Sequence, residues 1–275
     1  MMDLSVVVAN HANPQGLYLT VFSLLEQLSK TKLTWEIVIA ADGGSEAKWE
    51  KIPNIRCLRI RTGSPQGTRD AGIRAAQAQT VLVVEDHVVV SDVKALYDAH
   101  IALNGAMTFP ARFFEGSEFF NAYGTETDWD GNLWFKRTLY SPRAGQPYRV
   151  PQFGHSCFMI SRATYRAMGG YTDLLTGYGG EESLLCLKFW MMGFQIWQVP
   201  TIWHAHFLSD HGMGAGMASE NFKKNFQIVR FVLTGHQDGL QLTPDILAER
   251  KRIESGPFEG NITKLREYFR REGIA

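Results

Sequence analysis

"VLVVEDHVVV", residues 81–90, places Glu85, Asp86 and His87 between two runs of valine. Charged groups inside a strongly apolar run point to function, because an unpartnered charge held away from water is costly. If the run is a strand, its side chains alternate between faces, so Glu85 and His87 point one way and Asp86 the other. That spacing offers one carboxylate and one imidazole to a common point.

On either side, strand and helix signals alternate through the first hundred residues. "LSVVVA" (4–9) is a short apolar run, "LYLTVFSLLEQLSK" (17–30) repeats its apolar residues at helical spacing, and "WEIVIAADGGS" (35–45) is a strand ending in a turn. "IRCLRI" (55–60), the alanine-rich helix "QGTRDAGIRAAQAQ" (66–79) and "TVLVVEDHVVV" (80–90) continue the series. Strand-like runs joined by helical crossovers predict an α/β fold with a mainly parallel, doubly wound sheet flanked by helices. Ligands bind such sheets beyond the carboxyl ends of the strands. Asn10 and His11, Asp42, and Glu85 to His87 all lie at those ends, so they are expected to converge on one crevice.

The pattern breaks at 106–152, which is dense in aromatic and turn residues; "DWDGNLW" (128–134) within it suggests a hairpin or tight turn. Beyond it, "HSCFMISR" (155–162) is strand-like, "ATYRAMGG" (163–170) a short helix, "GEESLLCLKFWMMG" (180–193) a helix and "FQIWQVP" (194–200) a strand closed by proline. The glycine-rich "HGMGAGMAS" (211–219) is expected to be mobile, and from Glu220 the pattern is helical around Pro244 and Pro257.

A hydrophobic content of 45% over 275 residues supports a substantial core. Lysine plus arginine equals aspartate plus glutamate at 28 each, so global charge makes no case for nucleic acid or an anionic membrane. Cys57, Cys157 and Cys186 lie far apart without CxxC pairing, which predicts reduced thiols and a cytoplasmic setting. No segment reaches the about 18–20 apolar residues that cross a bilayer.

Four stretches carry a family resemblance. "AADGGS" (40–45) resembles the Asp-Asp-Gly-Ser turn, and "GTRDAGIRAA" (67–76) the Arg-Asn-x-Gly helix, of GT-A-fold nucleotide-sugar glycosyltransferases of the family 2 type. Glu85-Asp86-His87 is similar to the Asp-x-His of polypeptide N-acetylgalactosaminyltransferases, with glutamate replacing aspartate. "GYGGEESLLCLKFWMMGFQIWQVPTIWHAH" (177–206) is similar without gaps to their Trp-Gly-Gly-Glu-Asn segment, the helix and strand after it, a proline and a terminal histidine. The resemblance spans roughly residues 3–208. It implies a catalytic domain over 1–208, with a nucleotide-binding half (1–105), an aromatic insertion (106–152) and an acceptor and metal half (153–208). A mobile loop and helical extension would occupy 209–275.

The same resemblance implies residue roles. Glu85, His87 and His206 would bind Mn²⁺ or Mg²⁺ across the diphosphate of a UDP-sugar, with His204 the near alternative to His206 and Asp86 a rival to the longer Glu85. Asp42 would contact the uracil or ribose, with Asn10, His11, Arg69, Asp70, Gly72 and Asp86 around the nucleotide. Glu181 and Glu182 would be catalytic. An acid at 182 follows the inverting pattern, whereas retaining relatives carry asparagine there, glutamate at Leu184 and arginine at Lys188. Trp129, Trp134 and His155 are candidates for acceptor contact, the acceptor being a bacterial or phage saccharide or a hydroxymethylated DNA base in a bacterial or phage-infected cell. A mucin-type protein acceptor is not expected, since the family's lectin domain and membrane anchor have no counterpart in the sequence. The competing expectations are an inactive nucleotide-binding module and a nucleotidyltransferase. The latter ordinarily shows a glycine-rich basic loop, and the position after the first strand reads "NHANPQG" instead.

Overall fold

A computed structural model describes the chain apart from residues 1, 44–47, 105, 109–110, 116–117, 123, 130–132, 134, 139–144, 155, 208–219, 238 and 275; within 106–126 and 135–138 it describes the backbone alone. The first half builds β1 (Leu4–Asn10), α1 (Pro14–Ser29), β2 (Trp35–Asp42), β3 (Ile55–Ile60), α2 (Pro65–Ala75), β4 (Thr80–Glu85), β5 (Val88–Val90) and α3 (Val93–Leu103). Helix starts reflect local chemistry. Asn13 and Ser64 accept hydrogen bonds from Gly16 N and Gly67 N, with Pro14 and Pro65 in the first turns, and Asp92 caps α3 through Ala95 N. Asn104 closes α3 at φ 47°, a left-handed cap.

The middle supplies β6 (Ala106–Thr108), β7 (Ala111–Glu115), β8 (Glu118–Ala122), β9 (Gly124–Thr127), β10 (Phe135–Thr138) and β11 (Tyr148–Arg149). Then come β12 (Cys157–Ser161), α4 (Arg162–Ala167), α5 (Glu181–Met191), β13 (Ile196–Gln198) and β14 (His204–Phe207). Among the described residues the chain then continues through α6 (Glu220–Thr234), α7 (Pro244–Glu254) and α8 (Ile262–Glu272).

The main sheet has the order β11-β13-β6-β12-β4-β1-β2-β3. β3, β2, β1 and β4 run parallel, β12 is antiparallel to β4 and β6, and β11 is antiparallel to β13. The sheet is therefore mainly parallel, as expected. The valine run of residues 81–90 does not continue as one strand. Val88–Val90 turns away to pair with β14 in a second sheet, β5-β14-β7-β8. Strands of the 106–152 segment pair in both sheets, and β9 and β10 pair antiparallel with each other.

Two apolar layers cover the main sheet. Val6, Val8, Ile37 and Ile39 face Leu17, Val21, Leu24 and Leu28 of α1, while Val7, Val83 and Phe158 belong to the layer containing α5, α6, α7 and α8. None of Cys57, Cys157 and Cys186 is joined in a disulfide. Among the described residues no helix is long and apolar enough to cross a membrane.

Candidate active site

β4 carries Glu85 to its carboxyl end, and the turn at Asp86–His87 leads into β5. The antiparallel pairing of β5 with β14 sets His206 opposite Val88, and Phe207 N donates to His87 O at 3.1 Å. This register, across more than a hundred residues of chain, brings the three predicted ligands together. His206 Nε2 lies 3.0 Å from Glu85 Oε2 and 2.8 Å from His87 Nε2, and the two imidazoles stack with centroids 4.7 Å apart. One ligand atom from each of the three lies within 4.8 Å of the others. One carboxylate oxygen and two imidazole nitrogens in a half-buried pocket fit a divalent cation. His204 lies elsewhere, with its Nε2 3.0 Å from Ser156 Oγ.

Asp86 does not compete for that position. Its Oδ2 accepts from Asn10 Nδ2 at 2.8 Å and from His11 N at 3.0 Å; its Oδ1 lies 3.2 Å from Asn13 Nδ2 and 2.7 Å from His87 Nδ1. The turn after β4 directs this carboxylate to α1's entrance loop, where Asn10, His11 and Asn13 bind it, and lets it reach the His87 ring as well. The carboxylate grouped with His87 and His206 is that of Glu85. Thr20 of α1 completes the turn, accepting from Val88 N at 2.9 Å and donating to Glu85 O at 3.4 Å. Asn13 and Thr20 carry no signature that sequence reading would single out, since an N-cap asparagine and a helical threonine are commonplace.

Arg69 is 4% exposed and pairs through Nη2 with Glu85 Oε1. Burial disfavours its charge, but Glu85, Tyr171, Glu181 and Glu182 more than offset this and raise its pKa. Burial likewise works against ionised Glu85; the hydrogen bond from His206 and the charges of Arg69, His206 and His87 prevail and hold its carboxyl well below the usual carboxylate range. For His87, burial is outweighed by the bond to Asp86 and the charges of Glu85 and Asp86, so its pKa rises. Arg69, expected beside the nucleotide, is thus a partner of Glu85.

Its neighbours in the helix have other tasks. Asp70 accepts from Tyr165 Oη at 2.6 Å and Arg74 Nε at 2.5 Å, tying α2 to α4 rather than turning toward Glu85. Gly72 lets α2 approach β1, since a Cβ there would stand 2.2 Å from Val7 Cγ1. Asp42, at the end of β2, accepts from Thr62 Oγ1 and Gly63 N, each at 2.8 Å, and lies 4.0 Å from His11 Nδ1. Asn10, Asp42 and Glu85 end the neighbouring parallel strands β1, β2 and β4.

Glu181 and Glu182 occupy the first turn of α5, where the helix dipole favours carboxylates. Glu181 is 2% exposed; burial pushes its carboxyl up, opposed by Arg69, and its Oε2 accepts from Gly179 N at 2.8 Å. Glu182 is half-buried. Trp129 is half-buried: it packs edge-on against Phe269 of α8 at 5.5 Å, with Arg266 at 5.9 Å. Trp134, His155 and the 211–219 loop lie outside the described residues.

Residues 5–169 match the glycosyl transferase family 2 domain, more than half of the chain. The chain belongs to glycosyl transferase family 2. Among curated relatives, it is 28% identical over 236 residues to N-acetylgalactosaminyltransferase 6 of Drosophila melanogaster, covering 76% of this chain and 34% of that protein. It is 26% identical over 229 residues to polypeptide N-acetylgalactosaminyltransferase 8 of the same organism, covering 76% and 38%. The chain thus spans little more than a third of the length of these relatives. A crystal structure of GalNAc-T7 with UDP, GalNAc and Mn²⁺ superposes with a TM-score of 0.73 at 20% identity, over 100% of this chain and 55% of that one. The crystal structure of S. aureus TarS gives a TM-score of 0.58 at 15% identity, over 96% and 45%. The family 2 chain shares the GT-A fold with both.

Proposed function

We propose that this family 2 chain is a metal-dependent glycosyltransferase moving a sugar from a UDP-sugar to an acceptor hydroxyl. The observation that carries the proposal is the convergence of Glu85, His87 and His206 at the strand ends. The similarity to N-acetylgalactosaminyltransferases lends further support, as does the GalNAc-T7 structure with UDP and Mn²⁺.

Glu85, His87 and His206 would hold Mn²⁺ or Mg²⁺, which when bound supplies positive charge to a departing diphosphate. The chain's own residues prepare that place. Asp86 fixes the His87 ring through Nδ1, and Arg69 occupies Glu85 Oε1, leaving Oε2 on the side of His206. Asp42, with Asn10 and His11 beside it, lines the crevice assigned to the nucleoside. Glu182 is assigned as the base: the acceptor oxygen bonds to the anomeric carbon, its proton passes to Glu182, and the carbon–oxygen bond to UDP breaks with its electron pair leaving on the nucleotide. The buried, dipole-facing Glu181 anchors the turn that presents Glu182.

The test is a sugar-nucleotide panel with Mn²⁺, Mg²⁺ or EDTA, reading released nucleotide, followed by saccharide acceptors and hydroxymethylated DNA. Metal-dependent release from a UDP-sugar, lost on alanine substitution of Glu85, His87 or His206, is the expected result. Binding of nucleotide without turnover under any condition would replace the transferase reading with that of a binding module.

A further inference from the structure

The acidic pair at the start of α5 stands on a turn that has little rigidity of its own. Gly177, Gly179 and Gly180 take φ values of 67°, 104° and 85°, and α5 has no side-chain N-cap. Glycine loses more conformational freedom on ordering than any other residue, so three in four positions make a segment that must be held from outside. The holding group comes from α6, far along the chain from the turn.

Asn225 is 1% exposed and spends its whole amide on this turn. Its Oδ1 accepts from Thr176 N at 3.1 Å. Its Nδ2 faces three carbonyls, Thr176 O at 2.9 Å, Gly179 O at 3.0 Å and Tyr178 O at 3.4 Å. Around it α6 fits the glycines closely. A Cβ on Gly179 would stand 2.4 Å from the Phe222 ring and one on Gly180 2.9 Å from Val229 Cγ2. The Tyr178 and Phe222 rings stack at 6.4 Å and 18°. From the helix side, Glu181 Oε2 accepts from Gly179 N, so Gly179 is gripped by its amide from Glu181 and by its carbonyl from Asn225.

We propose that Asn225 is a positioning residue for Glu182: it orders the 176–180 turn, so that α6 belongs to the catalytic unit and is not an appendage to it. This rests on the transferase reading for its catalytic consequence, but the ordering itself is independent of that reading. An asparagine suits the task because one planar amide presents an acceptor and a donor edge to backbone groups of both kinds. Aspartate at this position would set a carboxylate against three carbonyl oxygens and keep only the contact to Thr176 N.

The experiment pairs hydrogen exchange with kinetics on the full chain carrying Asn225→Asp, with Asn225→Ser as a second variant should the first not fold. The expected result is that amides of 176–182 exchange at least about tenfold faster while β1 and β4 keep their protection. With that, kcat falls about 100-fold and the donor KM stays within about twofold, since displacement of a reacting group by an ångström has such effects. Binding of Mn²⁺ and UDP, measured by titration calorimetry, is expected to be unchanged. Wild-type exchange at 176–182 in a folded variant overturns the proposal, as does faster exchange with unchanged kcat. If the unsubstituted protein transfers no sugar, the transferase reading fails, and the exchange measurement alone decides whether Asn225 orders the turn.

Discussion

His87 Nδ1 stands 2.7 Å from a carboxylate oxygen of its own sequence neighbour, Asp86, and its other ring nitrogen lies 2.8 Å from His206. Adjacent residues of an extended chain ordinarily point apart; here the reversal after β4 lets them meet. The pairing fixes the ring so that Nε2 faces Glu85 and His206, an arrangement that raises the basicity of a metal-binding imidazole. Asp86→Asn is therefore expected to weaken Mn²⁺ binding about 10- to 100-fold, the range typical for loss of such a partner, as read by calorimetry or by electron paramagnetic resonance of the free ion. Unchanged affinity would remove Asp86 from the site.

Gly72 is expected to resist enlargement. The Gly72→Ala methyl would lie 2.2 Å from Val7 Cγ1 in the parallel sheet's centre, so α2 must shift away from β1. Overpacking of this kind costs about 1–3 kcal/mol, and denaturant unfolding of Gly72→Ala measures it. A neutral result would mean that α2 can slide, and Arg69 with it.

Glu36 offers a pH test away from the site. Its Oε1 accepts from Ser5 Oγ and Gln77 N, each at 2.7 Å, and its Oε2 from Arg56 Nε at 2.9 Å, binding β1, β2 and β3 to the end of α2. Burial raises its pKa, but the Arg56, Ser5 and Gln77 bonds lower it further, to below the ordinary 4.5. A lowered folded-state pKa means stability that is fully present above 4.5 and lost as pH falls through the folded value. Glu36→Gln is expected to cost about 1–3 kcal/mol at pH 7 and to flatten the loss of stability at acid pH. Parallel acid profiles for the two proteins would exclude this account.

Lys188 is 1% exposed, donates to Gly170 O at 2.7 Å and pairs with Glu249 of α7. Burial lowers its pKa against the pull of Glu249. Lys188→Met would leave Glu249 with Arg252 Nε at 3.2 Å. A destabilisation near the lower end of the usual about 3–5 kcal/mol is expected, largely recovered by adding Glu249→Leu. Equal losses in single and double variants would show that packing, not the stranded charge, is what matters there.

Much of this protein is legible in its residues. The break in the valine run singles out Glu85, Asp86 and His87, capping and periodicity delimit α1 and α2, and the family resemblance brings in His206 from far along the chain. These features can be read locally because the face a side chain occupies is a property of a few consecutive backbone angles. What partner waits on that face is not local. That Asp86 serves His87, that Arg69 turns to Glu85 while Asp70 turns to Tyr165, and that Trp129 packs against α8 depend on the register of β14 beside β5 and on how closely helices seat on the sheet. The clearest instance is Asn225, an ordinary residue within a helical stretch, whose amide finds four backbone groups only once α6 lies against the glycine turn. Periodicity is determined by the chain's own geometry, whereas such a meeting is decided by the packing of the whole core.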